Sequence, residues 1–392
     1  MSNPVIIDAV RSPIGRRNGA LSSVHPGDLL ATVLAELINR SGIDPSEVGQ
    51  VVGGCVSQVG AQSFNLTRSA WLTAGLPLEV AATTVDTQCG SSQQATNLAT
   101  ALVASGVVDV AVACGVESMS RVPIGSNSSK ALGLGVPIPR GYFGRYELTS
   151  QFEGAERIAA KWGISRSDCD ELGFSSQNRA RAAWDEGRFE SQVVAIDAPD
   201  LGEDGRPGGT THRVDRDEGL RDTTLDALAT LKAVGKPDGV HTAGSSSQIS
   251  DGAAAVLIMS PSKAASLGVT PRAEIVDTCL VGVDPVLMLT GPIDATRRLL
   301  NRTGMTMADI DISEVNEAFA AVVLAWAREI GGDLDTTNPN GGAIALGHPL
   351  GGTGAFLVTK ALHELERRDA TNALVTMCCG GGLGTGTIIR RI

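Results

Sequence analysis

Aromatic side chains are scarce in this sequence: Phe, Trp and Tyr make up only 3% of its 392 residues, whereas glycine occurs 47 times. Small residues let backbones approach one another closely, so the composition favours tightly stacked sheets and helices over a core built on large rings. Hydrophobic residues still reach 42%, which is enough for a large core, and the length suits two domains of ordinary size.

Cysteine and histidine lack the spacings that would indicate a disulfide framework or a metal site. The seven Cys are an odd number with no Cys-x-x-Cys pair, Cys378 and Cys379 are adjacent, and the five His are scattered. We therefore expect reduced thiols and no bound metal.

Segments typical of export or membrane insertion are also missing. Residues 1–10 show no charged leader with an apolar core, and the nearest thing to a long apolar run, residues 95–116, is interrupted by polar residues and glycine. We expect a cytoplasmic protein without membrane insertion.

Positive charge is in deficit, since 32 Lys and Arg face 43 Asp and Glu, a net charge of −11. This balance argues against nucleic acid or an anionic membrane surface as the main partner. A polyanionic ligand would have to be held by local arginine, serine and backbone N–H groups, because the global field opposes it.

Strand-like and helix-like segments alternate near both ends of the chain. Residues 5–10 and 48–54 indicate strands, and residues 27–40 indicate an amphipathic helix with leucines and valines at helical spacing. The alternation resumes at a strand over residues 252–258 and continues to the end of the chain. This pattern predicts a mainly parallel, covered sheet.

The middle of the chain, from residue 119 to residue 250, differs in composition and lacks the regular alternation. Stretches rich in Gly, Ser and Pro at residues 123–141 and 202–209 flank polar helices at residues 155–162 and 168–186. The pattern predicts an insertion of mobile loops and helices.

Cys89 stands where a β-type run ends and an Ala/Leu-rich helical stretch begins, across a turn of small residues. The partial positive charge of a helix N-terminus favours thiolate over thiol, and the thiolate is the form that attacks carbonyl carbons. The alternative is a free cysteine that packs as a small hydrophobe. The local sequence leaves both interpretations open.

His348 takes the matching place in a second predicted strand-turn-helix unit. A helix and a strand at residues 107–113 follow Cys89, and a helix at residues 355–365 and a strand at residues 373–377 follow His348. The likeness is of pattern, and it indicates one supersecondary unit used twice. The many glycines around His348 suit close approach of a ligand better than core packing.

The whole chain resembles the thiolase family in the order and spacing of its motifs. The motifs that carry the resemblance are Asp8-Ala9-Val10-Arg11-Ser12-Pro13-Ile14-Gly15, Gln88-Cys89-Gly90, Asn316-Glu317-Ala318-Phe319, Gly347-His348-Pro349 and Cys378-x-Gly380-Gly381-Gly382. At Gln93-Gln94 and over residues 241–252 it is most similar to actinobacterial members that degrade steroids and lipids.

This resemblance implies the α/β thiolase fold, in which two duplicated βαβαβαββ halves stack as five α/β/α/β/α layers with an inserted loop domain. The N-terminal half would comprise residues 1–118 and 251–268, and the C-terminal half residues 269–392. Residues 119–250 would form the loop domain that binds coenzyme A and substrate. Family members are dimers or dimers of dimers, so we expect a homo-oligomer.

The resemblance also implies the catalytic roles in cleavage of a 3-ketoacyl-CoA, with coenzyme A as co-substrate and no permanently bound cofactor. Cys89 would be the nucleophile that forms an acyl-enzyme, His348 its base, and Cys378 the acid and base of the enolate step. Asn316 would orient a water in one oxyanion hole, and the backbone N–H groups of Cys89 and Gly380 would form the other. From the sequence alone Asn316 also fits a helix N-cap.

Contacts with coenzyme A and substrate are implied for a further set of residues: Arg221, Ala243, Gly244, Ser247 and Phe319. The alternative for residues 245–247 is a flexible linker. The alternative for Arg221 is a solvated charge paired with Asp217 or Glu218.

Three positions depart from the commonest family pattern, namely Ser92, Gly352 and Cys379. None of them removes a catalytic group, so they bear on substrate fit more than on reaction type. Because neighbouring side chains of a strand point to opposite faces, only one of Cys378 and Cys379 can face Cys89, and the family spacing selects Cys378.

The predicted function is therefore a 3-ketoacyl-CoA thiolase that yields acetyl-CoA or propionyl-CoA and a shortened acyl-CoA, in fatty-acid or steroid side-chain β-oxidation. One alternative is the biosynthetic direction, acetoacetyl-CoA from two acetyl-CoA. A second alternative is a lipid-binding relative without catalysis. A ketoacyl synthase fits less well, because a cysteine stands where those enzymes carry His or Asn.

Overall fold

The computed structural model describes residues 3–128, 133, 135–202 and 207–392. The strands of the described residues are β1 (Val5–Arg11), β2 (Gly15–Arg16), β3 (Gln50–Gly54), β4 (Ala81–Val85), β5 (Val110–Ser118), β6 (Ile196–Leu201), β7 (Pro207–Val214), β8 (Ser250–Met259), β9 (Ala273–Gly282), β10 (Ile312–Val315), β11 (Asn372–Cys379) and β12 (Leu383–Arg391). The α-helices are α1 (Pro26–Ser41), α2 (Leu66–Thr73), α3 (Ser91–Ala104), α4 (Gln151–Trp162), α5 (Arg166–Asp185), α6 (Leu225–Ala229), α7 (Pro261–Leu267), α8 (Gly291–Thr303), α9 (Ala320–Ile330) and α10 (Thr353–Arg368).

The large sheet runs in the order β10-β11-β12-β9-β1-β8-β5-β3-β4, and β2 pairs with β8 at its side. Its two halves meet at β1 and β9, which share only two residue pairs. Parallel pairing is confined to β3 with β4, β3 with β5 and β10 with β11, and the other pairs are antiparallel. The predicted mainly parallel sheet is therefore wrong: each half begins with parallel β/α units but closes with long antiparallel strands.

Helices cover both halves of the sheet and separate them. The helices α1 and α2 pack on the outer face of the N-terminal half, and α8 and α9 pack on the outer face of the C-terminal half. The helices α3 and α10 lie between the halves, where their apolar residues share one core with the inner faces of β1, β5, β8, β11 and β12. The result is the five-layer order that the resemblance to the thiolase family implies.

Most predicted elements lie close to the observed ones. The strand predicted at residues 107–113 starts later, at Val110, and continues to Ser118. The strand predicted at residues 373–377 continues through both adjacent cysteines to Cys379. The boundaries moved because a fully buried strand carries no alternating signal to mark its ends.

The strand predicted directly before His348 does not form. Residues 338–352 make turns instead, and Asn338 has a positive φ of 48°. Buried side chains satisfy part of this backbone in place of a neighbouring strand: Ser176 Oγ accepts from Gly342 N at 3.0 Å, and Glu317 Oε2 accepts from Ile344 N at 3.2 Å. The second unit repeats the turn, helix and strand of the first but not its leading strand.

The segment between β5 and β8 carries α4, α5, α6 and the two-stranded sheet of β6 and β7. The predicted Gly/Ser/Pro-rich stretches fall partly outside the described residues, which omit 129–132, 134 and 203–206. The assignment of residues 119–250 as a separate loop domain stays a prediction. No helix in the described ranges is both long and apolar enough to span a membrane.

The crossing of α3 and α10 yields a stability prediction. A Cβ at Gly354 would lie 2.2 Å from the backbone N of Gln93, whereas a Cβ at Gly141 would meet nothing within 4 Å. Ala improves helix propensity by about 1 kcal/mol over Gly, but a contact with backbone forces the helices apart. We expect Gly354→Ala to lower the free energy of unfolding by about 1–3 kcal/mol in urea titrations. Gly141→Ala is the matched control and should unfold like the wild type; an unchanged midpoint for Gly354→Ala would contradict this account of the crossing.

Candidate active site

Two turns of the chain meet at the N-terminal ends of α3 and α10. A Cβ at Gly115, on β5, would lie 2.2 Å from the carbonyl oxygen of Gly351 and 2.5 Å from the Cβ of Ser92. Glycine at this position therefore lets the turn before α10 touch the first turn of α3. Because Cys89 lies just before α3 and His348 just before α10, the contact brings the two predicted residues to one place.

The turn that carries Cys89 is held in a strained shape. Gln88 has a positive φ of 51°, which is rare for a residue with a side chain. The carboxylate of Asp86 accepts from Gln88 N at 2.7 Å, and the hydroxyl of Ser91 accepts from Thr87 N at 2.9 Å. Strain that is fixed by several bonds is common where a side chain must be presented to a ligand.

Cys89 itself is half-buried and stands among backbone N–H donors. Burial raises the pKa of Cys89 to about 11, although the N–H groups of Gly380 and of Cys89 itself point at the sulfur and lower this pKa. The helix terminus and the N–H groups favour the thiolate, as the sequence suggests, but desolvation has the larger effect on the pKa of Cys89. The thiol needs a base to become a nucleophile.

His348 is oriented to act as such a base. Its Nδ1 lies 2.6 Å from Thr353 Oγ1, and the Thr353 hydroxyl donates to Pro349 O at 2.9 Å. Since the hydroxyl proton is used there, the oxygen accepts from Nδ1–H, which leaves a lone pair on Nε2. Burial lowers the pKa of His348 to about 4, so the imidazole is neutral at pH 7.

The backbone before His348 requires glycine. Gly347 has a φ of 118°, and a Cβ there would lie 2.4 Å from Ser250 Oγ and 2.7 Å from the side chain of Ile14. The same Ser250 hydroxyl accepts from His348 N at 3.0 Å. The close approach of β8 thus fixes the position of the imidazole.

Asn316 lies beside the free nitrogen of His348. It follows β10, it is buried, and its Nδ2 is 3.4 Å from His348 Nε2. It is not an N-cap, because α9 begins at Ala320 with Phe319 as the capping residue. The amide and the imidazole together can face one oxygen of a ligand.

The adjacent cysteines point to opposite sides of β11. Cys379 packs into the central layer with α3 and α10, and a Cβ at Gly90 would lie 2.5 Å from its sulfur. Cys378 packs with Phe319 and α9. Burial raises the pKa of both thiols, and a negative charge on Cys89, once it forms, raises both pKa values further.

Two buried carboxylates that the sequence analysis did not single out hold the turns of the site. Glu117 accepts from Val56 N and Gly351 N at 2.9 Å, from Ser57 N at 3.0 Å and from Gln62 Nε2 at 2.7 Å. Burial raises the pKa of Glu117, while these donors lower it. Through Gly351 this carboxylate ties the turn after His348 to the end of β5.

Glu317 does the same for the turn before His348. It accepts from Ser176 Oγ at 2.7 Å, from Asn338 Nδ2 at 3.0 Å and from Ile344 N at 3.2 Å. The sequence signals that could have found them are an acidic residue near the end of the largely apolar β5, for Glu117, and the motif Asn316-Glu317-Ala318-Phe319, for Glu317.

The residues predicted to contact coenzyme A fall into two neighbouring groups. Arg221 is exposed, and its guanidinium donates to Ala243 O at 3.3 Å, so these two lie together with Gly244. Of the two alternative partners for Arg221, Asp217 pairs instead with Arg11 at 2.8 Å and Glu218 with Arg16 at 3.8 Å.

Ser247 and Phe319 form the second group, next to the catalytic candidates. Ser247 N donates to Ala318 O at 3.0 Å, and Ser246 forms a β-bridge with Phe319. Ser245 O also accepts from Ala320 N at 2.9 Å. Residues 245–247 are therefore fixed against the start of α9 and are not a flexible linker.

The positions that depart from the family pattern have structural partners. Ser92 is buried, and its hydroxyl accepts from Ala355 N at 2.9 Å, which links α3 to α10. A Cβ at Gly352 would lie 3.2 Å from Gly252 O and from the ring of Phe356. Both departures belong to the central layer more than to a substrate surface.

An apolar cluster adjoins Cys89 on the side of the inserted segment. Val56, Met119 and Leu350 are buried together, and Cys89 and Ile249 pack against them. Among the described residues no group of three or more His, Cys, Asp or Glu side chains is placed to hold a metal ion.

Comparisons with known proteins agree along the whole chain. A family model described as the N-terminal domain of thiolase matches residues 4–262, and one described as the C-terminal domain of thiolase matches residues 269–391. A steroid 3-ketoacyl-CoA thiolase of Mycobacterium tuberculosis is 45% identical over 398 residues, which cover 100% of this chain and 95% of the relative. A beta-ketoadipyl-CoA thiolase of Acinetobacter baylyi is 41% identical over 407 residues and covers 100% of both chains.

A solved structure shares the fold. The crystal structure of an acetyl-CoA acetyltransferase of Bacillus anthracis superposes with a TM-score of 0.89 at 35% sequence identity, covering 100% of this chain and 99% of that one.

The protonation states at the site predict how Cys89 reacts. Because burial raises the pKa of Cys89 to about 11 and lowers the pKa of His348 to about 4, both groups are neutral at rest. We expect alkylation of Cys89 by iodoacetamide to rise about tenfold per pH unit from pH 6 to pH 9, because only the thiolate reacts. Intact mass against time would measure it, with Cys89→Ala as the control for labelling elsewhere. A rate that is flat over this range would indicate a resting thiolate–imidazolium pair instead.

Proposed function

The chain belongs to the thiolase family and is an acyl-CoA C-acyltransferase, and we propose that it cleaves 3-ketoacyl-CoA through an acyl group held on Cys89. The observation that carries the proposal is the set of groups around one sulfur. The N–H groups of Cys89 and Gly380 point at it, and the turn of His348 and the thiol of Cys378 are its neighbours. A nucleophile, a base, an acid and two oxyanion sites are what the reaction requires.

In the first half-reaction His348 Nε2 takes the proton of Cys89 and the sulfur attacks the keto carbon C3. The oxygen on C3 becomes negative, and it accepts hydrogen bonds from the backbone N–H groups of Cys89 and Gly380. The C2–C3 bond then breaks, its electron pair goes to C2 as an enolate, and Cys378 gives C2 a proton. His348 and a water oriented by Asn316 hold the thioester oxygen during this step, and acetyl-CoA or propionyl-CoA leaves.

In the second half-reaction coenzyme A removes the acyl group. Its thiol gives a proton to the Cys378 thiolate, and its sulfur attacks the acyl carbon on Cys89. The Cys89 thiolate departs and recovers its proton from His348. A shortened acyl-CoA is released and every group returns to its starting state, so no bound cofactor is needed and coenzyme A is a co-substrate.

Acyl groups that are long or branched suit the surroundings of Cys89. Val56, Met119, Leu350 and Ile249 give the sulfur an apolar neighbourhood, and two of them border the inserted segment. The relative from Mycobacterium tuberculosis is named a steroid 3-ketoacyl-CoA thiolase. We place the protein in fatty-acid or steroid side-chain β-oxidation on this basis.

The biosynthetic direction is the second candidate. The solved neighbour and a relative from Chromobacterium violaceum, 39% identical over 394 residues, are named acetyl-CoA acetyltransferases, and the same residues serve both directions. A non-catalytic lipid-binding role has less support, because the complete set of catalytic side chains is present.

Coenzyme A is proposed to lie along Arg221, Ala243, Gly244 and Ser247, where a guanidinium and backbone groups offer donors to a polyanion in an otherwise acidic protein. We also propose a cytoplasmic homo-oligomer, either a dimer or a tetramer. In support of the oligomer, β4 is an edge strand of the sheet, and Phe64 and Leu78 nearby are 94% and 69% exposed. Unpaired edges flanked by apolar side chains favour association.

Covalent catalysis is tested by measuring the mass of the intact protein. Incubation with a 3-ketoacyl-CoA in the absence of coenzyme A should leave an acyl adduct on Cys89, and Cys89→Ala should lose both adduct and turnover. Comparing kcat/KM for acetoacetyl-CoA and for a long or branched 3-ketoacyl-CoA separates the two candidates. Preference for acetoacetyl-CoA over every longer substrate would favour the biosynthetic one, and wild-type turnover by Cys89→Ala would overturn the mechanism.

The two adjacent cysteines should differ in kinetics. Cys378→Ala removes the proton donor to C2, so we expect kcat to fall about 10²–10⁴-fold while slow acylation of Cys89 persists. Cys379→Ala trims a side chain that packs into the central layer, so we expect near-normal kcat and a slightly lower stability. Steady-state kinetics on both variants decide the matter, and the reverse outcome would exchange the two assignments.

A further inference from the structure

A buried ion pair lies behind Asn316 and His348 that the proposed mechanism does not use. Lys360, on α10, donates to Glu314 Oε2 at 2.7 Å and to Gly341 O at 2.6 Å. The side chains of Lys360 and Glu314 are only 3% and 0% exposed. A buried ion pair is weak evidence for stability, because apolar residues of similar volume often serve as well. Because stability alone does not explain this ion pair, its position beside Asn316 suggests a role in function.

Three hydrogen-bonding positions at this place have no partner among the described residues: a third donor of Lys360, Oε1 of Glu314 and Oδ1 of Asn316. An ammonium group has three donors, and those of Lys360 have two acceptors among the described residues. The Oδ1 of Asn316 is buried and accepts no hydrogen bond from the described part of the chain. Leaving a buried acceptor unsatisfied typically costs about 1–3 kcal/mol, so a partner for it is expected.

One small cavity is lined by Asn316 and Lys360 but not by Glu314. Its volume is about 20 Å³, and its lining includes Asn316, Lys360 and Thr353. A cavity of this size holds one water molecule. The Thr353 hydroxyl is already engaged with His348 and Pro349, so Asn316 and Lys360 are the side chains with spare capacity.

We propose that Lys360 is a positioning residue for Asn316, acting through a single water molecule in this cavity. The water accepts from Lys360 Nζ and donates to Asn316 Oδ1. With its oxygen fixed in this way, the amide must direct Nδ2 towards His348 Nε2 and the water that holds the substrate oxygen. The inference rests on the proposed function, because it assigns Asn316 to the reacting thioester.

The test uses a charge-neutral replacement of the pair, Glu314→Gln with Lys360→Met, because Lys360→Met alone would leave an unpaired buried carboxylate. We expect kcat for 3-ketoacyl-CoA cleavage to fall about 10- to 100-fold, as for a misplaced catalytic group, with KM unchanged. In an Asn316→Ala background the same pair replacement should cause no further fall. Non-additivity of this kind is the signature of two residues that act as one unit.

The matched control is the ion pair between Lys263 and Glu47, which lies 2.5 Å apart on the surface of the N-terminal half. Glu47→Gln with Lys263→Met should leave kcat unchanged in both backgrounds. If the buried replacement lowers kcat by the same factor with and without Asn316, the proposal is overturned. Wild-type protein that forms no acyl adduct on Cys89 would instead overturn the proposed function, so the two failures are distinct.

A high-resolution crystal structure of the wild-type protein tests the proposal without any variant. It should show a water within hydrogen-bond distance of both Lys360 Nζ and Asn316 Oδ1. A dry cavity, or an Asn316 Oδ1 bonded to another group, would overturn the proposal even if the replaced pair failed to fold.

Discussion

The contact between α3 and α10 is the constraint on which the site depends. Each helix belongs to a different half of the molecule, and each begins directly after a turn that carries a predicted catalytic residue. Glycines at Gly115 and Gly354 remove the side chains that would keep the helices apart. Because interiors are close-packed, the separation of these helices is set by backbone contact and cannot adjust gradually. The distance between the Cys89 and His348 turns is set in the same way.

Buried polar groups then fix the shape of the turns on either side of His348. The carboxylates of Glu117 and Glu317 accept backbone N–H groups on either side of His348. Low dielectric makes each such bond strong and each missing bond costly. A turn held by several charged acceptors has few alternative shapes, which is how irregular backbone can keep catalytic geometry. The same low dielectric leaves Cys89 and His348 uncharged until a substrate arrives.

Turn residues, glycines and helical periodicity are local signals, and they predicted the turns that carry Cys89 and His348 and the helices that follow them. The five-layer order came from the resemblance of the motifs to the thiolase family. The sequence did not predict the antiparallel closing strands, since pairing partners lie far apart in the chain and fully apolar strands show no alternation. The charge state of Cys89 was also beyond local reasoning. A helix N-terminus is visible in sequence, whereas the burial that outweighs it, and the N–H group of Gly380 that opposes this burial, depend on the tertiary fold. Glu117 and Lys360 act through contacts with distant segments and carry no motif of their own.

The strand order has a consequence for folding during synthesis on the ribosome. β1 is the first strand made, yet its partners are β8, at residues 254–259, and β9, at residues 273–274. At about 5–20 residues per second, translation needs about 12–50 s to supply them. Throughout that interval β1 is an apolar segment whose two edges have no partner strand. Unpaired strand edges are prone to association, so the nascent chain is exposed to it until β8 and β9 have been made.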